Sequence, residues 1–204
     1  MTAQTPSIQK RGANDSQQVA DILADAFQHD PCMNFVIPVQ ELYSSFYKLL
    51  ADQLYLPQGL VFTDNECNAA AMWLPPGTAP DVPMSLSQLG LLFRLFIRQG
   101  PRVIPRLQQA SAVMAQNHPK TPHYYLQAIG AKSGFQGRGL GSALLKHMTH
   151  RVDKESMPCY LESSSPANVP LYQRHGFEIT GQAPIAQGGP PLIFMWREPQ
   201  SQTE

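Results

Sequence analysis

The 204-residue chain has few cysteines and no excess of charge of either sign. Its three cysteines, Cys32, Cys67 and Cys159, are far apart, which argues against a disulfide framework and against a zinc cluster. Fifteen basic and fifteen acidic residues cancel, so the chain has no field that would recruit nucleic acid or an anionic membrane. The composition therefore predicts a reduced, cytoplasmic setting with no metal and no nucleic-acid partner.

Long apolar runs are also missing. Residues 1–10 lack the apolar centre of a signal peptide. The most apolar segment, Leu86 to Ile97, falls short of the roughly 20 residues that a membrane span needs, so we expect no membrane partner. With 43% hydrophobic residues, the length favours a single domain over residues 7–197. The polar ends, residues 1–6 and 198–204, are expected to be flexible tails.

The most informative pattern lies between His123 and Leu145. An aromatic and aliphatic run typical of a strand is followed by a glycine-rich turn, and then by apolar residues that recur every four positions, as on one face of a helix. The first turn of a helix presents unpaired N–H groups and the positive end of the helix dipole. Glycines at 137, 139 and 141 leave room for an anion and permit positive φ angles. The pattern predicts a cradle for a pyrophosphate, to which Arg138 can add donors.

The spacing narrows the choice of ligand. No lysine follows the glycines at the offset that a P-loop requires. A dinucleotide fingerprint that starts at Gly137 would need a third glycine where Ser142 stands, although Glu162 lies at roughly the distance of a ribose-binding acid. A nucleotide-binding fold therefore stays open as a weaker alternative.

The motif Gln136-x-x-Gly139-x-Gly141, after a strand and at the start of a helix, resembles the signature of the GNAT acyltransferase superfamily. The resemblance implies that the loop holds the pyrophosphate of acetyl-CoA and that the preceding strand pairs with the pantetheine arm. It implies these cofactor-binding residues: Ile129, Gly130, Ala131, Gln136, Gly137, Arg138, Gly139, Leu140, Gly141, Ser142 and Asn168.

The downstream segment strengthens the resemblance. A second strand over 158–164 precedes a short helix with Asn168 and Tyr172, and then Gly176-Phe177, as in the family pattern. The resemblance spans about residues 122–197 and looks most like the branch that contains puromycin N-acetyltransferase. It implies a mixed α/β (α+β) fold with a central, mostly antiparallel sheet of six to seven strands flanked by helices, in which a splayed strand pair holds CoA.

Acetyl transfer to an amine requires a base, a donor for the thioester oxygen and an acid for the departing thiolate. By the resemblance, Tyr172 lies near the thioester sulfur and is the candidate acid; the alternative is that it only packs under the loop. Glu162 interrupts an apolar strand, where a carboxylate is costly, and is the candidate base. The alternative is a core carboxylate satisfied by the backbone or by an arginine. His123 is a second candidate base, and the oxyanion donor is expected to be a backbone N–H around 129–131.

We therefore predict an enzyme that acetylates a primary amine of a small molecule by direct attack, acting as a monomer or homodimer. An acyl-enzyme is disfavoured because Cys159 lies in mid-strand with no histidine nearby in sequence. A non-catalytic CoA-binding sensor or interaction module is the alternative. The helical segment that includes Leu86 to Ile97 resembles a wall over the acceptor site; the alternative is that it fills core or forms a dimer interface.

Overall fold

The computed structural model describes residues 6–82 and 84–201. In this part of the chain there are seven strands: β1 Ile8–Lys10, β2 Leu60–Asp64, β3 Ala69–Leu74, β4 Tyr124–Ala131, β5 Cys159–Ser163, β6 Glu178–Pro184 and β7 Pro191–Arg197. It also holds eight α-helices: α1 Ser16–Ala26, α2 Pro31–Val36, α3 Tyr43–Leu50, α4 Leu56–Gln58, α5 Leu86–Gln99, α6 Val103–Asn117, α7 Leu140–Lys154 and α8 Val169–Gln173. None of the helices described is both long and apolar enough to cross a membrane.

The strands form one sheet in the order β1-β2-β3-β4-β5-β7-β6. Only the β4–β5 pair is parallel, which confirms the predicted mixed, mostly antiparallel sheet. One face of the sheet packs against α1, α3 and α6, and the other packs against α7 and α8. The apolar face of α7 predicted from its four-residue spacing is buried in the second layer, where Leu144, Met148 and Val152 are at most 1% exposed.

A β-bulge in β4 changes which side chains face the first layer. Trp73 on β3 pairs with Leu126, whereas Met72, the residue before it, pairs with Ala128. Gln127 is therefore the extra residue on β4. As a result Gln127 and Ala128 both face the layer of α1, α3 and α6, where Ala128 is packed in the core and Gln127 lines a cavity.

The parallel pair β4–β5 separates after three residues. Tyr124–Leu126 pair with Cys159–Leu161, and beyond that point β4 pairs with β3 alone. Lys132 N–H donates to Asn68 O on the β3 side at 2.8 Å. Because main-chain groups alternate along a strand, those of Ile129 and Ala131 point to the open side. The predicted splayed pair is therefore present. Along its β4 edge the Ala131 carbonyl accepts from Gln136 Nε2 at 3.3 Å, and the other outward main-chain groups of Ile129 and Ala131 have no hydrogen-bond partner among the described residues.

Two local contacts fix the frame of the site. The Asp30 carboxylate caps α2, a helix that the sequence did not predict, by accepting from Met33 N at 2.8 Å. A Cβ on Gly130 would lie 2.5 Å from Ala26 Cβ, so only glycine lets α1 approach β4 this closely.

The predicted tails are described only in part. Residues 1–5 and 202–204 lie outside the described residues. Near the C-terminal end, Gln200 N–H donates to the Asp153 carboxylate.

Candidate active site

The glycine loop offers a set of unpaired main-chain donors. Gly137 and Gly139 have φ angles of 74° and 81°, and a Cβ at either position would meet nothing within 4 Å. The first backbone bond of α7 runs from Ala143 N–H to Gly139 O. In the described part of the chain, none of the N–H groups from 137 to 142 donates to a protein acceptor. The turn therefore has the conformation of an anion site.

A cavity of about 340 Å³ lies beside this turn and is called the loop cavity here. It extends from the turn to the open edge of β4 and to α8. Seven of the predicted cofactor-binding residues line it: Ile129, Gly130, Ala131, Gln136, Gly137, Gly141 and Asn168.

The other predicted cofactor-binding residues have side chains directed elsewhere. The Arg138 guanidinium lies 4.8 Å from the centre of the Phe135 ring. Leu140 is buried in the core between α7 and the sheet, and the Ser142 hydroxyl is 2.7 Å from His175 Nε2. Gly139, Leu140 and Ser142 can therefore contribute to an anion site only through their main chain. Arg138 is exposed, so its side chain can contribute as well.

Asn168 immediately precedes α8, where an asparagine side chain can either cap the helix or contact a ligand. Its side chain makes no capping hydrogen bond to α8, and the turn before α8 is capped instead by Ser165, which accepts from Ala167 N–H. Asn168 therefore does not cap α8, and it is exposed where it lines the loop cavity.

A second cavity, of about 220 Å³, lies on the other side of Tyr172 and is called the acceptor cavity here. It shares five lining residues with the loop cavity: Phe27, Asp30, Ile129, Asn168 and Tyr172. Most of the remaining lining is apolar: Met33, Val36, Ile37, Phe46, Tyr47, Leu107, Ala110, Met114, Leu126, Ala128, Leu161, Ile185 and Leu192. The two cavities meet where the strands separate.

The acceptor cavity is lined by Glu162, whose carboxylate has one oxygen without a hydrogen-bond partner. Its side chain is 4% exposed, and its Oε2 accepts from the Tyr125 hydroxyl at 2.7 Å. Its Oε1 is buried without a hydrogen-bond partner, and the His118 imidazole lies beside it, with Nδ1 3.9 Å away. The predicted alternative of a carboxylate satisfied by the backbone or by an arginine is therefore not what the structure contains. A buried carboxylate oxygen without a partner is costly, and a cation in the cavity would relieve that cost.

Buried tyrosines surround this carboxylate. Burial first, and the charge of Glu162 second, raise the pKa of Tyr55, Tyr125 and Tyr160, so their hydroxyls stay protonated and act as donors. Tyr55 donates to Gln127 Oε1 at 3.0 Å. Sequence reasoning missed this group because its members come from three separate segments: the chain before β2, β4 and β5.

His123, the second candidate base, does not line the acceptor cavity. Its Nδ1 is 2.6 Å from Thr121 O, and burial lowers its pKa. Its ring lies against that of His118, with centroids 4.9 Å apart. His118, which sequence reasoning missed, is the histidine next to Glu162; it follows the last residue of α6, and no local motif marks it.

Tyr172 lines both cavities and so lies where they meet. Its ring is buried against Phe177. Burial, and then the charge of Asp30, raise the pKa of its hydroxyl. The phenol therefore stays protonated, but its proton is harder to transfer to a thiolate than the model values of about 10 and about 8.5 suggest.

Two helices, α5 and α6, lie between β3 and β4 in the chain, and only α6 contributes to the wall of the acceptor cavity. Leu107, Ala110 and Met114 of α6 line the acceptor cavity, whereas no residue of α5 does. The alternative for Leu86 to Ile97 was that it fills core or forms a dimer interface. Within the segment only Leu95 is buried, whereas Leu86 and Phe93 are 88% and 65% exposed, so most of it does not fill core, and a dimer interface stays a prediction.

Comparison with known proteins finds a family model that matches part of the chain and a relative that matches most of it. Residues 106–179, which include β4, the glycine loop, α7, β5 and α8, match the acetyltransferase (GNAT) domain family. An uncharacterised N-acetyltransferase of Schizosaccharomyces pombe is 26% identical over 208 residues, covering 94% of this chain and 83% of that one.

Two solved structures have the same fold. A histone acetyltransferase HPA2 and related acetyltransferase from Corynebacterium glutamicum superposes with a TM-score of 0.69 at 24% identity, over 98% of this chain and 99% of that chain. Arylalkylamine N-acetyltransferase 2 from Aedes aegypti gives a TM-score of 0.61 at 11% identity, over 95% and 99%. The resemblance to the puromycin-like branch stays a prediction.

Proposed function

We propose that this chain is an acyltransferase of the GNAT type. In this proposal it moves an acetyl group from acetyl-CoA to the primary amine of a small molecule. The observation that carries this proposal is the meeting of the two cavities at Ile129 and Tyr172. One cavity adjoins free main-chain donors, and the other contains a buried carboxylate oxygen without a partner.

The residues of the loop cavity fit acetyl-CoA. The free N–H groups at 137–142 can bind the diphosphate, and the open edge of β4 at Ile129 and Ala131 can pair with the amide groups of the pantetheine arm. When bound, acetyl-CoA supplies a thioester with a good leaving group. The N–H groups of the same edge are the donors best placed to stabilise the thioester oxygen.

The proton balance assigns roles to two side chains. The ammonium of the acceptor loses two protons as the new C–N bond forms and the C–S bond breaks; one proton ends on the thiol and one leaves for solvent. Glu162 Oε1 can hold the ammonium and accept its first proton. The Tyr172 hydroxyl can donate a hydrogen bond to the departing sulfur.

Direct attack, without an acyl-enzyme, agrees with the state of the cysteines. Cys32 lines the acceptor cavity, but burial raises its pKa to about 12, and its thiol donates to Ser164 O. Burial likewise raises the pKa of Cys159 to about 12. Neutral buried thiols are poor nucleophiles, so the amine is the better attacking group.

The experiment is a thiol-release assay with acetyl-CoA and a panel of primary amines, run beside calorimetric titration of CoA. A side chain at Gly141 would enter the loop cavity next to Leu171, so Gly141→Val should weaken CoA binding at least about tenfold. Gly134→Val is the matched control, because a Cβ there meets nothing within 4 Å and Gly134 does not line the cavity. CoA binding without thiol release for any amine would favour the sensor instead.

A further inference from the structure

The charges around the acceptor cavity restrict which amines it can hold. We propose that the acceptor is a monoamine with an apolar body, which carries one primary ammonium, no carboxylate or phosphate, and no second cation. This inference rests on the proposed function and adds the chemical class of its acceptor.

The acceptor cavity has a free carboxylate oxygen for one cation only. Two carboxylates line it, those of Asp30 and Glu162. Both oxygens of Asp30 already accept hydrogen bonds, one from Met33 N–H and the other from the Ser164 hydroxyl. Burial raises the pKa of Asp30 despite these bonds, which further weakens it as a site for a cation. Glu162 Oε1 is the one carboxylate oxygen of the lining without a hydrogen-bond partner among the described residues, and His118 Nδ1, which does not line the cavity, is 3.9 Å from it.

The acceptor cavity has no cationic side chain that could pair with an anion. Among the described residues, its lining contains no lysine, arginine or histidine. The nearby guanidinium of Arg106 lies over the Phe35 ring at 4.9 Å, and neither residue lines the cavity. A carboxylate on the acceptor would therefore be buried without a counter-charge, which is strongly unfavourable. Amino acids and phosphorylated amines are thus disfavoured.

The rest of the lining suits an apolar body. Phe27, Phe46 and Tyr47 contribute aromatic rings, and Phe27 and Tyr47 lie with centroids 5.5 Å apart. Met33 and Met114 contribute flexible thioethers, which adapt to varied apolar shapes. For straight-chain amines we expect kcat/KM to rise about fourfold per added methylene until the cavity is filled.

Matched pairs of amines test the inference. Phenylalanine adds a carboxylate to 2-phenylethylamine, and 1,6-diaminohexane adds a second ammonium to hexylamine. In the thiol-release assay we expect kcat/KM to fall by about 100-fold for the charged member of each pair, because its added group finds no partner. Equal or better turnover of either charged amine overturns the acceptor class while acetyl transfer stands. No release with these four amines or with spermidine overturns the proposed function itself.

A second carboxylate in the wall should change the preference. Ser111 lines the cavity from α6 and is exposed at its rim, so Ser111→Asp adds a seat for a distal ammonium without burying a charge. We expect the ratio of kcat/KM for 1,6-diaminohexane over hexylamine to rise about fivefold. Ala112→Asp is the control, since Ala112 is exposed on the same helix but outside the lining. An unchanged ratio in Ser111→Asp, or an equal rise in the control, contradicts the inference.

Discussion

Replacing Glu162 with glutamine removes the charge at the acceptor cavity and keeps the shape of the side chain. The glutamine carbonyl can still accept from the Tyr125 hydroxyl, which lies 2.7 Å from Glu162 Oε2, so the fold should be retained. The variant therefore separates the charge of Glu162 from its packing.

The expected loss follows from the protonation of the acceptor. An alkylammonium with a pKa of about 10.4 is about 10³-fold depleted in free amine at about pH 7.4, which corresponds to about 4 kcal/mol. The unpartnered Oε1 of Glu162 is the one described carboxylate oxygen of the lining able to take up that proton. We expect Glu162→Gln to lower kcat/KM by about 10² to 10³ at this pH.

The assay is thiol release from acetyl-CoA between about pH 6.5 and pH 10. In the variant, log kcat/KM should rise with a slope of about one as the free amine forms, so that the gap to the wild type narrows toward pH 10. Glu178→Gln is the matched control because Glu178 is exposed on β6, away from both cavities. A variant within twofold of the wild type at pH 7.4, or a gap that is constant with pH, would refute the role of Glu162 as base.

Three further changes test other parts of the structure. Tyr172→Phe should lower kcat by about 10- to 100-fold while calorimetry shows unchanged CoA affinity, because the hydroxyl acts on the leaving sulfur; unchanged kcat would remove that role. Gly130→Ala should cost about 1–3 kcal/mol of unfolding free energy in urea, since its Cβ would lie 2.5 Å from Ala26 Cβ, and Ala26→Gly in the same chain should restore part of it. Asp153→Asn should cost about 3 kcal/mol at neutral pH, because it leaves the buried Arg197 guanidinium without its bidentate partner. Although burial opposes it, hydrogen bonding to Arg197 holds the pKa of Asp153 below its usual value, so this contribution is present at neutral pH. The difference between variant and wild type should therefore shrink as the pH falls below about 4; a difference that does not change with pH would contradict this pairing.

The elements that the sequence predicted best are those whose causes are local. The strand at Tyr124–Ala131, the helix from Leu140 and the turn between them depend on residues adjacent in the chain, namely alternating or four-residue apolar spacing and glycines with φ angles near 80°. Tyr172 could be placed beside the loop by resemblance, because the order of strand, loop and helix fixes its surroundings.

The acceptor side of the site could not be predicted in this way. Whether Glu162 was a satisfied core carboxylate depended on Tyr125 and His118, which lie 37 and 44 residues away in sequence. α6 lines the cavity while α5 leaves most of its apolar side chains exposed. This difference depends on how the two helices pack, and the more apolar sequence of α5 gives no indication of it.

The sequence by itself thus determined the glycine turn and its unpaired main-chain donors, because helix starts and glycine turns are set by hydrogen bonds and torsion angles within a few residues. Only the tertiary structure decided the charge balance of the acceptor cavity. The Ser164 partner of Asp30, and the lack of a hydrogen-bond partner for Glu162 Oε1, arise from the packing of distant segments. Such contacts form when the α1–α3 and α6 layer packs on the sheet, and no local pattern encodes them.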